Sequence, residues 1–322
     1  MNSVQRVRNA IMGKPIDRQP IYGWVSENLS EEITAQFGSV AAFEDHYDFD
    51  VAHIFGGPWS FSGEKFDRIR SENEALTPDV LLEYDLFADV DDIAAYSNVA
   101  ASLKHHKQRD RFCYMQTPGF FEHFNTVFGI QEHLMYLALY PEELKELYRR
   151  QAEWTLRFAD HCMELGVDMI HLSDDWGSQR DMLFSPKTWW ELIYPNMKTV
   201  VDHVHKRGRP VSLHSDGCIA KVTDGIVQLG IDVLHPWQEN ANMPLSLYLE
   251  HYADRFALLG GICVQSALGI LPQDELEQEI RRVFGLLKNK RWICCTSHFV
   301  QKHCTMEDLT FAYDLIYKLA RE

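Results

Sequence analysis

The segment Leu213-His214-Ser215-Asp216-Gly217 holds the densest chemistry in the sequence. His214 and Asp216 are two residues apart, so on an extended strand both side chains point to the same face. At the usual rise per residue their Cα atoms lie about 6.6 Å apart. An imidazole nitrogen and a carboxylate oxygen can then converge on one metal ion. Equally, the carboxylate can orient the imidazole with no metal present. His298, closing a later apolar run, can supply a third ligand. A His, Asp, His set suits zinc with an open position, or a harder divalent ion. A second concentration is Asp174-Asp175-Trp176-Gly177. Paired carboxylates in a cleft can share a proton, with one pKa raised, which suits general acid–base work. They can also bind substrate hydroxyl or ammonium groups. Neighbouring strand residues face opposite ways, so at most one of the pair is expected in a pocket. The plainer alternative has one Asp capping the next turn and the other in solvent.

These residues need elements to position them, and the chain offers eight short β-type runs. They are Pro20–Val25, Asp50–Gly56, Phe112–Gly119, Asp168–Trp176, Pro210–Gly217, Asp232–Gln238, Phe256–Cys263 and Trp292–His298. Most begin apolar and end polar or Gly-rich, as a strand buried on both faces does when its end opens into a pocket. Helix patterns lie between them. Pro141 to Leu165 carries Pro in its first turn and Gly166 as a stop, and Ser185-Pro186 opens a helix ending near Gly208. Thr305 to Asp308 resembles a capping box opening the last helix, which is expected to reach Arg321. Eight runs alternating with helices predict a single (β/α)8 barrel domain over residues 1–322, with 61–107 as an insertion after the second strand. That insertion carries acidic clusters and an expected extended pair. The rival architecture, a doubly wound sheet with a small second domain, lacks a Gly-rich dinucleotide turn after any early run.

Active sites of such barrels sit at the C-terminal strand ends. That rim collects Trp24 and Glu27, Gly56, Gly57 and Trp59, Thr117 and Pro118, and Asp174 and Asp175. It continues with His214 and Asp216, Gln238 and Glu239, Gly260, Gly261 and Cys263, and Thr296 and His298. Asp174, Asp175, Glu27 and Glu239 are the candidates for moving protons or positioning substrate. Trp24, Trp59, Gln238 and Cys263 are the candidates for substrate contact. Cys113, Cys294 and Cys295 read as core thiols. Trp189-Trp190 reads as helix packing against the barrel, and His105-His106 as a solvated pair.

Composition narrows the partners. The 322 residues include 31 Lys+Arg against 47 Asp+Glu, a formal charge of −16. That charge argues against a phosphate-backbone partner, because nucleic-acid binders concentrate positive charge. With 46% hydrophobic residues the chain has the makings of a core. No apolar run approaches the ~20 residues a membrane helix needs. Met1 to Lys14 is polar and basic, unlike a secretory signal. Seven cysteines at irregular spacing, with no CxxC, suggest neither a disulfide framework nor a zinc ribbon. A cytoplasmic protein acting on a small molecule is the expectation, with a homodimer as its assembly.

The chain resembles the uroporphyrinogen decarboxylase superfamily, which includes cobalamin-dependent methyltransferases such as methylcobalamin:coenzyme M methyltransferase. The resemblance runs through Arg8-Asn9-Ala10-Ile11, the entry Asp17-Arg18-Gln19-Pro20, Asp174-Asp175-Trp176-Gly177 and Ser185-Pro186. It continues through His214 to Gly217, Gly230-Ile231-Asp232-Val233-Leu234, Gly260-Gly261-Ile262 and Thr296-Ser297-His298. It implies a (β/α)8 barrel. Decarboxylases of the family resemble one another in an Arg-rich segment after the first strand and an Asp after the second, which together hold a polycarboxylate tetrapyrrole. Here those places read Trp24-Val25-Ser26-Glu27-Asn28 and Phe55-Gly56-Gly57, without Arg or Asp. The methyltransferase branch binds zinc through a His-x-Cys pair and a later Cys. His214 matches, while Asp216 and His298 stand where the cysteines would be. The resemblance therefore implies a metal-assisted, corrinoid-linked methyltransferase. Its ligands would be His214, Asp216 and His298, for zinc or another divalent metal, and its cobalamin would be carried by a partner protein. The alternatives are a decarboxylase or lyase acting on a smaller acid or tetrapyrrole, and a non-catalytic barrel binding a small ligand.

Overall fold

Seven of the eight apolar runs form strands in the computed structural model, which describes every residue from Met1 to Glu322. They are β1 (Val51–Ile54), β2 (Phe112–Pro118), β3 (Met169–Ser173), β4 (Val211–His214), β5 (Val233–His235), β6 (Ala257–Ile262) and β7 (Trp292–Thr296). The strands β3, β4 and β7 stop where their runs turn polar, before Asp174, Ser215 and Ser297. The polar residues leave the ladder because a charged group between two packed faces has no partner there. The chain divides into two compact units. A central unit comprises 53–105 and 113–231, and a terminal unit comprises 1–52, 106–112 and 232–322.

In the central unit β2, β3 and β4 pair in parallel. The register sets Pro118 opposite Ser173 and Ser173 opposite His214. One row of the sheet therefore ends all three strands, and the residues that follow emerge together. The helix Pro141–Leu165 has the bounds expected from sequence, with Pro at its start and Gly166 left-handed (φ 107°) at its end. Ser185 caps the next helix, accepting from the Thr188 amide at 3.1 Å. That helix runs Pro186–Thr188, passes through a π-type turn over Trp189–Ile193, and continues as Tyr194–Lys206. Pro195 lacks the N–H that a regular ladder would use at this junction. Trp189 is fully buried and meets Trp176 edge-on at 5.5 Å, the packing role expected of it. Within residues 61–107 the extended pair is a single antiparallel bridge, Phe61 to Phe87, among short helices.

In the terminal unit β5, β6 and β7 are parallel, with Val233 opposite Ala257 and Leu258 opposite Trp292. The expectation of eight strands is corrected here, because Pro20–Val25 is not a strand. It makes one parallel bridge, Ile21 to Cys294, with Tyr22 N donating to Cys294 O at 2.8 Å and Cys294 N to Pro20 O at 3.0 Å. Pro20 has no N–H to give. The Ile21 amide goes to the Asp50 carboxylate at 2.9 Å and the Trp24 amide to the Thr296 hydroxyl at 3.0 Å. Side chains take the donors that a ladder would need. The last helix, Met306–Leu319, is capped by Thr305 and ends short of Arg321.

Asp50 explains the Asp17-Arg18-Gln19-Pro20 entry. Its carboxylate is fully buried and takes Arg6 Nη1 at 2.6 Å, Arg18 Nη1 at 2.7 Å and the Ile21 amide. Arg6 also holds Asp17 at 2.6 Å. Removing one partner of such a network strands buried charge. Asp50→Ala should lower unfolding free energy by about 3–5 kcal/mol in a denaturant titration. Asp85→Ala, which removes a partly exposed ion pair with Lys65, should change it by less than about 1 kcal/mol. Equal losses from the two variants would refute a special role for Asp50.

Candidate functional site

The shared end of β2, β3 and β4 gathers an imidazole and several carboxyl groups in the central unit. His214, the last residue of β4, is 4% exposed. Its Nε2 lies 3.7 Å from Asp175 Oδ1 and 3.8 Å from Asp216 Oδ1. These spacings exceed a hydrogen bond. Two donors each about 2.0–2.2 Å from one tetrahedral ion lie roughly 3.3–3.6 Å apart, so these separations are a little wider than those of ligands closed on a common cation. The donor set is nitrogen and oxygen, as zinc or a harder divalent ion accepts. The Asp216 backbone amide donates to Asp175 Oδ1 at 2.6 Å, which ties the ends of β3 and β4 together. Burial, followed by repulsion from Asp175, pushes the Asp216 carboxyl up to about 7.

The adjacent carboxylates divide their roles. Asp174 is fully buried and accepts from the Glu122 amide at 2.7 Å and the Trp176 indole N–H at 2.8 Å. It anchors the start of the helix Phe121–Phe128. Burial pushes it up to about 6 against these hydrogen bonds. Asp175, whose side chain is one-third exposed, is the member that approaches His214. Two close approaches make this possible. A Cβ on Gly119 would overlap the Ser173 carbonyl and the Asp174 side chain. Gly217 (φ 78°) passes so near Gly177 that neither has room for a side chain.

Sequence reasoning missed Glu122. It lies in the first helical turn after β2, and Ser173 Oγ donates to its carboxylate at 3.3 Å. Burial first, then repulsion from Asp175 and Asp174, raises its pKa well above the ordinary carboxylate range. The available signal was an acidic residue just after the Pro118-Gly119 strand end. Glu122 borders a cavity of about 360 Å³, which Trp59 also lines. Two strand imidazoles were missed as well. His171 is buried in β3 with Nδ1 2.7 Å from Ser212 Oγ, and His235 is buried in β5 with Nε2 3.1 Å from Thr296 O.

The remaining candidates belong to the terminal unit. The Trp24 ring packs 4.5 Å from His235, 5.6 Å from His298 and 4.9 Å from Phe299. His298 is half-buried beyond the end of β7. Glu27 is exposed in the first turn of Ser26–Phe37, away from any cavity described for this unit. Gln238, Glu239 and Cys263 share a cavity of about 340 Å³. Glu239 is ion-paired with Arg282 and accepts from the Leu245 amide at 3.1 Å, so it holds structure there. Cys113, Cys294 and Cys295 are buried thiols, as expected, and none of the seven cysteines is in a disulfide. No helix is long and apolar enough to cross a membrane.

Residues 125–319 match the family model described as uroporphyrinogen decarboxylase (URO-D). No curated protein sequence matches the chain. Among solved structures the chain is similar to a methyltransferase from Methanosarcina mazei, at TM-score 0.69 and 11% identity over 98% of each chain. It is also similar to a sugar phosphate isomerase/epimerase from Parabacteroides distasonis, at TM-score 0.50 and 10% identity over 94% of each chain. At these identities the likeness is one of fold.

Glu122 makes stability pH-dependent. Its folded pKa is raised, so folding favours the protonated carboxyl. That contribution is present at low pH and lost as pH rises through the folded value. The charged groups facing it are Asp174 and Asp175, both acidic. Glu122→Gln should melt near the parent temperature at about pH 5 and above it at about pH 9, where the parent carries a buried charge. The same melting difference at both pH values would show that Glu122 is not perturbed.

Proposed function

The chain belongs to the uroporphyrinogen decarboxylase family, and from that premise we propose that it is a metal-assisted, corrinoid-linked methyltransferase acting on a small substrate. The observation that carries this reading is His214 with the Asp175 and Asp216 carboxylates 3.7 and 3.8 Å from its Nε2. A fold-level likeness to a methyltransferase over nearly the whole chain supports it. The (β/α)8 barrel is the fold proposed with it, the Pro20–Val25 segment taking the eighth strand's place through its single bridge to Cys294.

His214 and Asp216, with His298 as the third donor proposed from sequence, would hold zinc or another divalent ion. That ion supplies Lewis acidity toward a substrate heteroatom. Asp175 accepts from the Asp216 amide and so positions the segment that carries Asp216 beside His214. Asp174 holds the helix that presents Glu122, and Glu122 gives or takes a proton at the substrate. The 360 Å³ cavity beside Glu122 admits the substrate, with Trp59 on its wall. A cobalamin carried by a partner protein would supply the methyl-transfer chemistry. Trp24, Gln238 and Cys263 are the further substrate contacts proposed from sequence, and Glu27 and Glu239 the further proton or positioning groups.

A second reading, a carboxy-lyase without metal, draws on the raised Glu122 pKa, since a carboxylic acid can protonate the carbanion left by decarboxylation. The first cavity opposes it, because no Lys or Arg lines it to receive an acid substrate. Elemental analysis of the purified protein should find about one divalent ion per chain, and His214→Ala and His298→Ala should each lose it, with at least a tenfold fall in affinity. Methyl transfer to or from a corrinoid should fall in step. A metal-free protein with full activity, or carbon dioxide release independent of corrinoid, would overturn the proposal.

A further inference from the structure

The cavity beside Glu122 has a composition that specifies the charge of its ligand. Phe55 and Trp59 line it, and they are 51% and 65% exposed, two large aromatic side chains left uncovered at its mouth. Phe158 adds a third aromatic ring to the wall. The polar side holds the Glu122 carboxyl, joined to Ser173, with the uncharged Gln116, Thr117 and Thr126 beside it. The other ionisable lining residue, His123, is hydrogen-bonded to Ser60, stacked on Phe61 at 4.2 Å, and kept neutral by burial, which lowers it to about 3. Lys and Arg are absent from the lining. Behind Glu122 stand Asp174 and Asp175.

An anion entering this cavity would meet carboxyl groups and no cation. A neutral apolar molecule would leave the Glu122 carboxyl without its best partner. A compact cation satisfies both walls, because the faces of Trp and Phe attract positive charge and the Glu122 carboxyl, giving up its proton to solvent as the cation enters, neutralises it. A methylated ammonium group adds apolar methyl surface for the rings, which a bare ammonium or metal ion lacks. The volume of about 360 Å³ accommodates such a head group with a short arm.

We propose that this cavity binds the methylated ammonium head of a small substrate, between the Phe55 and Trp59 rings and the Glu122 carboxylate. This names a substrate class for the site of the methyl-transfer reading and rests on that reading for its biological meaning. Binding itself needs neither metal nor corrinoid, so the two can fail separately.

The test is calorimetric titration of the full chain with choline, with its neutral isostere in which carbon replaces the quaternary nitrogen, and with the matching carboxylate. Choline should bind at least about tenfold more tightly than the neutral alcohol, a difference of roughly 1.4 kcal/mol. The carboxylate should bind more weakly than either. Trp59→Ala and Glu122→Gln should each erase most of the preference for choline while leaving the alcohol nearly unchanged. Trp59→Phe should retain it, and Trp59 is exposed enough that its variants should fold. Equal binding of choline and the alcohol, tighter binding of the carboxylate, or no binding of choline would overturn the proposal, whatever the metal content or methyl-transfer activity.

Discussion

Carboxyl groups packed beside one another at the end of a parallel sheet are the constraint on which the site depends. Parallel strands are buried on both faces, so charge is expelled to their ends. When three strands end in one register row, the expelled groups meet. Here they are Glu122 after β2, Asp174 and Asp175 after β3, and Asp216 after β4, with His214 among them. Burial, and then repulsion from the neighbouring Asp175, raise the proton affinity of Glu122 and Asp216. Such groups are poised to hold protons or to receive a cation.

The surrounding structure answers this constraint with hydrogen bonds. Asp174 takes two donors, the Glu122 amide and the Trp176 indole, and in doing so fixes both the helix that carries Glu122 and the turn after β3. Asp175 takes the Asp216 amide and links β3 to β4. The glycines at 119, 177 and 217 allow the backbone segments to come near enough for these bonds. The contrast with Asp50 is instructive. That carboxylate is as deeply buried, yet two guanidinium groups satisfy it, and its role is to hold the chain entry in place. The difference between a structural and a candidate functional carboxylate is the presence of a built-in cation.

Much of the fold was legible because buried parallel strands and capped helices leave local signatures. Seven of eight runs are strands, and the helix Pro141–Leu165 has the bounds its Pro and Gly signals mark. Pro20–Val25 was misread because its composition is that of a strand, while its donors are claimed by Asp50 and Thr296, side chains distant in sequence. Composition cannot report which acceptor an amide will find. For the site, the two-residue spacing of His214 and Asp216 assumed one continuous strand, whereas β4 ends at His214 and the 3.8 Å approach of Asp216 is made from the loop that follows, held by Asp175. Glu122 escaped notice because its neighbours in space are some fifty residues away in sequence.

Local chemistry in the sequence by itself determined most strand and helix segments, the clustering of His and Asp at strand ends, the core thiols and the acid excess, because each follows from residue type and short-range periodicity. Tertiary structure alone decided which Asp faces His214, which one is buried as an anchor, and that Glu122 joins them. Those outcomes depend on the register between strands and on burial, and both are set by contacts between distant segments.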